Sequence, residues 1–183
     1  MNVLGIVGLP GSGKSEAAAV ARELGVPVVT MGDVIRAECR ERGLDPATDH
    51  GTVARALREE NGPAAIAERS LPVIEDALEA HDTVLIDGIR SDVEVSAFES
   101  AFGDAFTLVS IEAPFELRTE RLDIRGRDAS VEEGGEALAD RDERELSFGM
   151  DAAMEQADLT IENTDSLEDF HGRIEALLTG ETG

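Results

Sequence analysis

Eight consecutive residues near the start of the chain carry the strongest chemical signal: Gly8-Leu9-Pro10-Gly11-Ser12-Gly13-Lys14-Ser15. The pattern G-x-x-x-x-G-K-[S/T] is that of a loop wrapping the phosphates of a nucleoside triphosphate such as ATP. Its glycines let successive backbone N–H groups turn inward around an anion, where a Cβ would obstruct them. A helix opening at Lys14 adds the positive end of its dipole. Lys14 is then placed to reach the β- and γ-phosphates, and the Ser15 hydroxyl to ligate Mg2+. Lys14 is also the only lysine of the chain. A compact ammonium on a flexible stem suits this position, and a planar guanidinium does not. The same scarcity argues against the common GTPase switch, whose guanine-reading Asn-Lys-x-Asp motif needs a second lysine.

Carboxylates and arginines supply the other candidates. Val84-Leu85-Ile86-Asp87 is an apolar run ending in an aspartate, as expected of a strand that delivers a metal-site carboxylate beside the phosphate loop. A plain turn or helix cap is the simpler reading of Asp87. Asp33, just after Gly32, could cap a helix, orient a phosphoryl acceptor or hold a metal-bound water. Arg36 and Arg90 follow the second and third apolar runs. Arg121, Arg125 and Arg127 follow the fourth, and Arg141 and Arg144 lie beyond a polar stretch. Phosphoryl transfer asks a protein for alignment, exclusion of water and cations on the moving group. Arginine forks hold phosphate oxygens two at a time. Any single arginine is more simply a partner for surface carboxylates; as a group at strand junctions they read as a charged site. His50, His81 and His171 are dispersed, without metal-ligand spacing, and read as surface residues. Cys39 reads as an ordinary helix residue that has no second cysteine to bond.

The elements that must position these groups alternate along the chain. Short apolar runs at residues 3–7, 27–30, 83–86, 105–111 and 159–162 predict strands. Amphipathic stretches at 14–24, 33–42, 52–61, 63–80, 92–102, 114–125, 136–148 and 166–178 predict helices, with Pro72 expected to kink or divide the fourth. That alternation predicts an α/β fold with a parallel sheet and crossover helices. The 183 residues suffice for one core-burying domain. The net charge of −24, from 40 acidic against 16 basic residues, argues against a nucleic-acid partner, which needs a basic face. An acidic, lysine-poor surface resembles the proteins of extreme halophiles, where salt near ~1 M screens repulsion within roughly 3 Å. No run of apolar residues is long enough for a membrane span, and the N-terminal run lacks the basic flank of a signal peptide. A lone cysteine agrees with a cytoplasmic location. No interface pattern stands out that would set an oligomeric state.

Taken together, these segments resemble the nucleoside monophosphate kinase and dephospho-coenzyme A kinase branch of P-loop kinases, and more closely an archaeal family of P-loop kinase-like proteins within it. The resemblance covers nearly the whole chain. Thr30-Met31-Gly32-Asp33-Val34-Ile35-Arg36 is similar to the adenylate kinase segment that holds the acceptor nucleotide, which implies acceptor-binding roles for Gly32 and Arg36. Met31 departs from that family's small hydroxyl residue. Asp87-Gly88-Ile89-Arg90 resembles an Asp-Gly-Phe-Pro-Arg motif one residue short, implying a metal and catalytic role for Asp87 and a catalytic and acceptor-side role for Arg90. Arg121-Leu122-Asp123-Ile124-Arg125 resembles the arginine pair at the base of the lid, with Arg121 on the ATP base and Arg125 on phosphate; Arg141 and Arg144 match the lid arginines more loosely. The stretch from Ala157 to Glu168 is similar to the ending of dephospho-coenzyme A kinases, implying the fifth strand and part of the donor-base pocket.

The resulting expectation is a single three-layer P-loop NTPase domain over residues 1–183, with a five-stranded parallel sheet. An acceptor-binding helical insertion is expected at about 33–72 and a short lid at about 126–140. Its chemistry would be ATP- and Mg2+-dependent transfer to a small phosphorylated or hydroxylated metabolite, nucleotide-like or coenzyme A precursor-like. Lys14, Asp33, Asp87, Arg90 and Arg125 would be the catalytic set. The rival expectation is an ATP-hydrolysing regulatory or assembly protein with no small-molecule acceptor.

Overall fold

The structure is a computed structural model that describes residues 1–126 and 138–180, the side chains of residues 124–126 excepted. Five strands form one sheet: β1 (Asn2–Val7), β2 (Val28–Thr30), β3 (Thr83–Asp87), β4 (Phe106–Glu112) and β5 (Leu159–Glu162). Their order is β2-β3-β1-β4-β5 and every pairing is parallel. β1 lies in the middle and is buried from Val3 to Val7, which is why it reads as an unbroken apolar run rather than an alternating one.

Helices cover both faces, so the sheet is the middle of three layers. On one face Leu4, Ile6, Leu85 and Val109 pack against Ala17 and Ala18 of α1 (Lys14–Glu23) and Phe170 and Ile174 of α9 (Leu167–Thr179). On the other, Val3, Val84, Ile86 and Leu108 join Leu57, Ile66, Ile74 and Phe98. These come from α3 (Pro46–Asn61), α4 (Ala65–Ala80) and α5 (Asp92–Phe102). The remaining helices are α2 (Met31–Glu41), α6 (Phe115–Gly126), α7 (Leu138–Ser147) and α8 (Met150–Glu155). Among the described residues no helix is long and apolar enough to cross a membrane.

Several boundaries differ from the sequence-based expectation. α2 starts at Met31 directly after β2, with Thr30 as its N-cap, so the strand hands over to helix without a loop. α3 starts at Pro46 rather than residue 52, because Asp45 accepts a hydrogen bond from the Ala47 N–H and Pro46 occupies the first turn. α4 begins at Ala65 and continues through Pro72 unbroken. Pro72 is exposed, so the Glu68 carbonyl that loses its helical partner can turn to water. β4 runs one residue later than expected, after a 3-10 turn at Gly103–Ala105. The helix expected over 136–148 is α7, closed by Gly149 at φ 102°, after which α8 forms separately. Of the expected lid, residues 127–137 lie outside the described residues, as does Arg127.

Candidate functional site

In an open parallel sheet ligands bind beyond the carboxyl ends of the strands, and the phosphate loop follows the carboxyl end of β1. Its glycines are needed individually. A Cβ on Gly13, at φ 121°, would stand 2.4 Å from the Asn163 side-chain nitrogen, and one on Gly8 would stand 2.4 Å from the Ile111 carbonyl oxygen. Neither site has room for a side chain.

Three residues buttress the loop from behind. Asn163, 5% exposed after β5, donates from Nδ2 to the Ser12 carbonyl at 2.8 Å. Arg121 donates from Nη2 to the Asn163 carbonyl at 2.9 Å and from Nη1 to that of Ser12 at 3.5 Å. Arg118, the third anchor, is only 5% exposed. Its Nε donates to the Ala113 carbonyl at 3.0 Å and its Nη1 to the Pro10 carbonyl at 3.2 Å. Both Nη groups also donate to the Asp142 carboxylate at 2.8 Å. One guanidinium thus joins the phosphate loop, the start of α6 and the beginning of α7. Occupying backbone carbonyls from outside leaves loop N–H groups for an anion, although that of Ser12 turns to the Leu9 carbonyl at 3.2 Å. Ser12 is 2% exposed, and its Oγ is buried without a hydrogen-bond partner among the described residues.

Lys14 folds over this loop. Its Nζ donates to the Gly8 carbonyl and, at 3.2 Å, to that of Leu9. Burial lowers its pKa from 10.5 to about 8, opposed mainly by the charges of Asp87 and Glu145. Holding that ammonium charged at neutral pH costs on the order of 3 kcal/mol, a cost that negatively charged phosphates would offset. Asp87, at the end of β3, is pushed above the usual carboxylate range by burial; Lys14 and the Gly88 N–H act against that rise. Asp87 and the exposed Ser15 hydroxyl are hard oxygen donors, which suit Mg2+ completed by water and phosphate oxygens. The donor set therefore fits the metal expected from the sequence.

The loop after β3 links this centre to a second one. Glu94, 1% exposed, accepts from the Arg90 N–H at 2.8 Å and lies 3.4 Å from Arg58 of α3. Ser91 caps α5 by accepting from the Glu94 N–H. Buried Glu94, pushed up by desolvation, thereby ties the loop bearing Arg90 to α3. The Arg90 side chain remains 48% exposed, with Nη1 3.8 Å from Glu145 of α7. It is close enough to affect both Lys14 and His50 electrostatically. Gly88, at φ 97°, lets this loop pass against Met31, whose N and Cβ would lie 3.6 and 3.4 Å from an added Cβ.

Several expected roles look different in the fold. Asp33 caps nothing; its carboxylate pairs with Arg36 at 2.7 Å, both side chains being well exposed. Arg121 serves the loop and Asn163 backbones through the contacts above. The side chain of Arg125 lies outside the described residues. His50 is not a plain surface residue: its Nε2 is buried, and it lies beside Gly32 within electrostatic range of Arg36 and Arg90. Sequence reading missed Arg118, Asp142, Glu145, Glu94 and Arg58 altogether. Only Glu94 had a local signal, the Ser-x-x-Glu capping spacing from Ser91.

Comparisons with known proteins agree with this architecture. A family model described as an AAA domain matches residues 7–136. A UPF0200 protein of Halobacterium salinarum is 59% identical over 100% of this chain and 95% of its own length. Another, from Methanosarcina barkeri, is 46% identical over 93% of this chain and 90% of its own. Among solved structures, TT1252 from Thermus thermophilus superposes with a TM-score of 0.66 at 24% identity, covering 100% of this chain and 98% of that one. A shikimate kinase from Acinetobacter baumannii in complex with shikimate gives 0.56 at 18%, covering 100% and 95%. At those identities the structural likeness establishes the fold, that of P-loop kinases. With full-length relatives at these levels, the chain belongs to the UPF0200 family, an archaeal P-loop kinase-like group.

Proposed function

We propose that this protein moves the γ-phosphoryl group of ATP, with Mg2+, to a small phosphorylated or hydroxylated metabolite. The acceptor class is nucleotide-like or coenzyme A precursor-like. One observation carries the reading: Arg90 lies within electrostatic reach of both Lys14, on the phosphate loop, and His50, on the helical insertion. A cation shared between donor and acceptor sides stands where charge moves during phosphoryl transfer.

In this reading the loop amides and Lys14 hold the β- and γ-phosphates. Ser15 and Asp87 hold Mg2+, which neutralises charge on the phosphate oxygens. A bond forms between the acceptor oxygen and the γ-phosphorus as the bond to the β–γ bridging oxygen breaks, leaving ADP; a hydroxyl acceptor releases its proton to solvent, and an ionised phosphate acceptor has none to lose. Arg36 and Arg90 bind the acceptor, and Asp33, oriented by Arg36, positions its attacking group. Arg121 and Arg125 are assigned to the donor nucleotide.

Thermal-shift screening in concentrated salt tests this against an ATPase switch without an acceptor. A metabolite that stabilises the protein further in the presence of a Mg-ATP analogue supports transfer. Slow hydrolysis of ATP that no metabolite of a broad panel accelerates favours the switch. Arg36→Ala should then raise the KM for the acceptor roughly 10- to 100-fold, the worth of a charge-assisted contact. The KM for ATP should stay within about twofold. Equal losses for both substrates would remove Arg36 from the acceptor side.

A further inference from the structure

Of the three histidines, His50 alone sits among cations at the mouth of the insertion. It lies in the first half of α3, against the start of α2 at Gly32, and it feels Arg36 of α2 and Arg90 of the β3–α5 loop. Its Nε2 is shut off from solvent and bonded to nothing among the described residues. A buried ring nitrogen without a partner is a cost that native structures seldom leave without a reason. Three nitrogen-bearing side chains from three elements converge here, and two of them are permanently charged. In a chain with net charge −24, such a convergence runs against the general balance.

We propose that His50 is an acceptor-specificity residue. With Arg36 and Arg90 it forms a cradle for a dianionic group of the acceptor, a phosphate ester above all, and it takes up a proton as that group binds. This rests on the kinase reading and narrows its acceptor to a molecule that already carries phosphate. Arg36 and Arg90 are long and each close to half exposed, so they can turn onto an incoming anion.

The charges around the ring set the direction of the effect. Burial, Arg36 and Arg90 hold His50 below the ordinary imidazole range, while backbone hydrogen bonding with Gly32 acts against them. Around those arginines stand Asp33, paired with Arg36, and Glu145 of α7, beside Arg90; Asp49 is the ring's own neighbour on α3. At neutral pH the free ring is therefore uncharged. A bound dianion favours the protonated ring, so an anion that stays dianionic binds most tightly at low pH, while a phosphate ester, which gains a proton near about pH 6, binds best around that pH. Binding weakens as pH rises through the value His50 has in the complex. A monoanionic or uncharged acceptor would give little such dependence.

The test uses the full chain in concentrated KCl, with the donor site saturated by a non-hydrolysable Mg-ATP analogue and with inorganic phosphate and sulfate as probes. Ring resonances of the three histidines are followed against pH by NMR, and His50→Gln assigns one of them. Both probes should raise the His50 titration midpoint by about one pH unit or more, leaving His81 and His171 where they were. Sulfate stays dianionic throughout, so the same shift with sulfate excludes titration of the probe itself. His50→Gln, which keeps a polar group but cannot titrate, should weaken phosphate binding about 5- to 10-fold near neutral pH and flatten its pH dependence. An anion bound through Arg36 that leaves the His50 midpoint unmoved overturns the proposal. So does a native pH slope in His50→Gln, or no anion binding beside a bound ATP analogue. Failure of the analogue itself to bind is a separate result, and it removes the kinase reading.

Discussion

On the proposed kinase reading, the donor and acceptor ends of the site are built in opposite ways. At the donor end the anchoring groups are buried or partly buried and tied mainly to backbone: Asn163 and Arg121 hold Ser12, and Arg118 holds the Pro10 and Ala113 carbonyls along with the Asp142 carboxylate. At the acceptor end the cations are half exposed. They lean on carboxylates that an incoming anion can replace: Asp33 on Arg36, Glu145 on Arg90. The two ends face different demands. A triphosphate offers the same charges every time, so a rigid, pre-formed loop wastes least on reorganisation. An acceptor must enter, be recognised and leave as product, which favours side chains that can exchange partners.

The sharpest attempt to break this contrast is Lys14→Ala. It should abolish measurable transfer, a loss of ~10³-fold or more, with Lys14→Arg failing to restore it because the fork does not fit. A Lys14→Arg enzyme with near-native single-turnover rates would show the donor end to be less exacting than its geometry suggests. Next is Arg118→Leu, which strands the largely buried Asp142 carboxylate and frees the loop carbonyl of Pro10. It should cost roughly 3 kcal/mol of stability by denaturant unfolding and weaken Mg-ATP as well. Asp142→Asn should do less. Coupling between the two in a double-mutant cycle measures the clamp directly.

The pH response separates the ends without mutation. Lys14 has a pKa of about 8 in the folded protein against 10.5 unperturbed, so between those values the native state binds fewer protons than the unfolded chain. Stability contributed through this group therefore rises with pH from about 8 to 10.5. Mg-ATP binding needs the charged ammonium, so its affinity should be flat below that pKa and fall up to tenfold per pH unit above it, as read by calorimetry. Binding that is unchanged to pH 10 or so would mean that Lys14 keeps its proton in the free protein, against the stated effect of burial.

The smallest expected effect is on Glu145→Gln. Glu145 competes with phosphates for Arg90 and Lys14, so its neutralisation should tighten Mg-ATP by a few-fold, within the roughly 1 kcal/mol range of a partly exposed pair. Unchanged or weaker binding would recast Glu145 as a structural partner that holds α7 in place.

The P-loop and the five strands were legible in the sequence because each is a contiguous segment. A phosphate loop acts mainly through its own backbone amides, and a buried parallel strand is a short apolar run wherever it pairs. Helix ends were less legible. The Asp45-Pro46 start of α3 was a readable cap that the polar composition of its first turn obscured, and the short helix α8, which begins just past the expected helix at Gly149, was not expected at all. The buttress of the site was legible only in part: Arg121 and the stretch around Asn163 stood out, and Arg118 with Asp142 did not. Arg118, Arg121 and Arg125 share one helix, and nothing local tells which guanidinium grips the loop.

By itself, the sequence determined that this chain has a phosphate loop carrying its only lysine, on a parallel α/β sheet. The tertiary structure alone decided which charges meet. Arg118 reaches Pro10 from 108 residues away, Asn163 reaches Ser12 from 151, and Arg58 of the insertion reaches Glu94 from 36. A charged side chain has no partner written into its neighbours; long-range packing chooses one. In a chain with 40 acidic residues, any arginine could have found a carboxylate, and only the fold says which ones were turned to the loop instead.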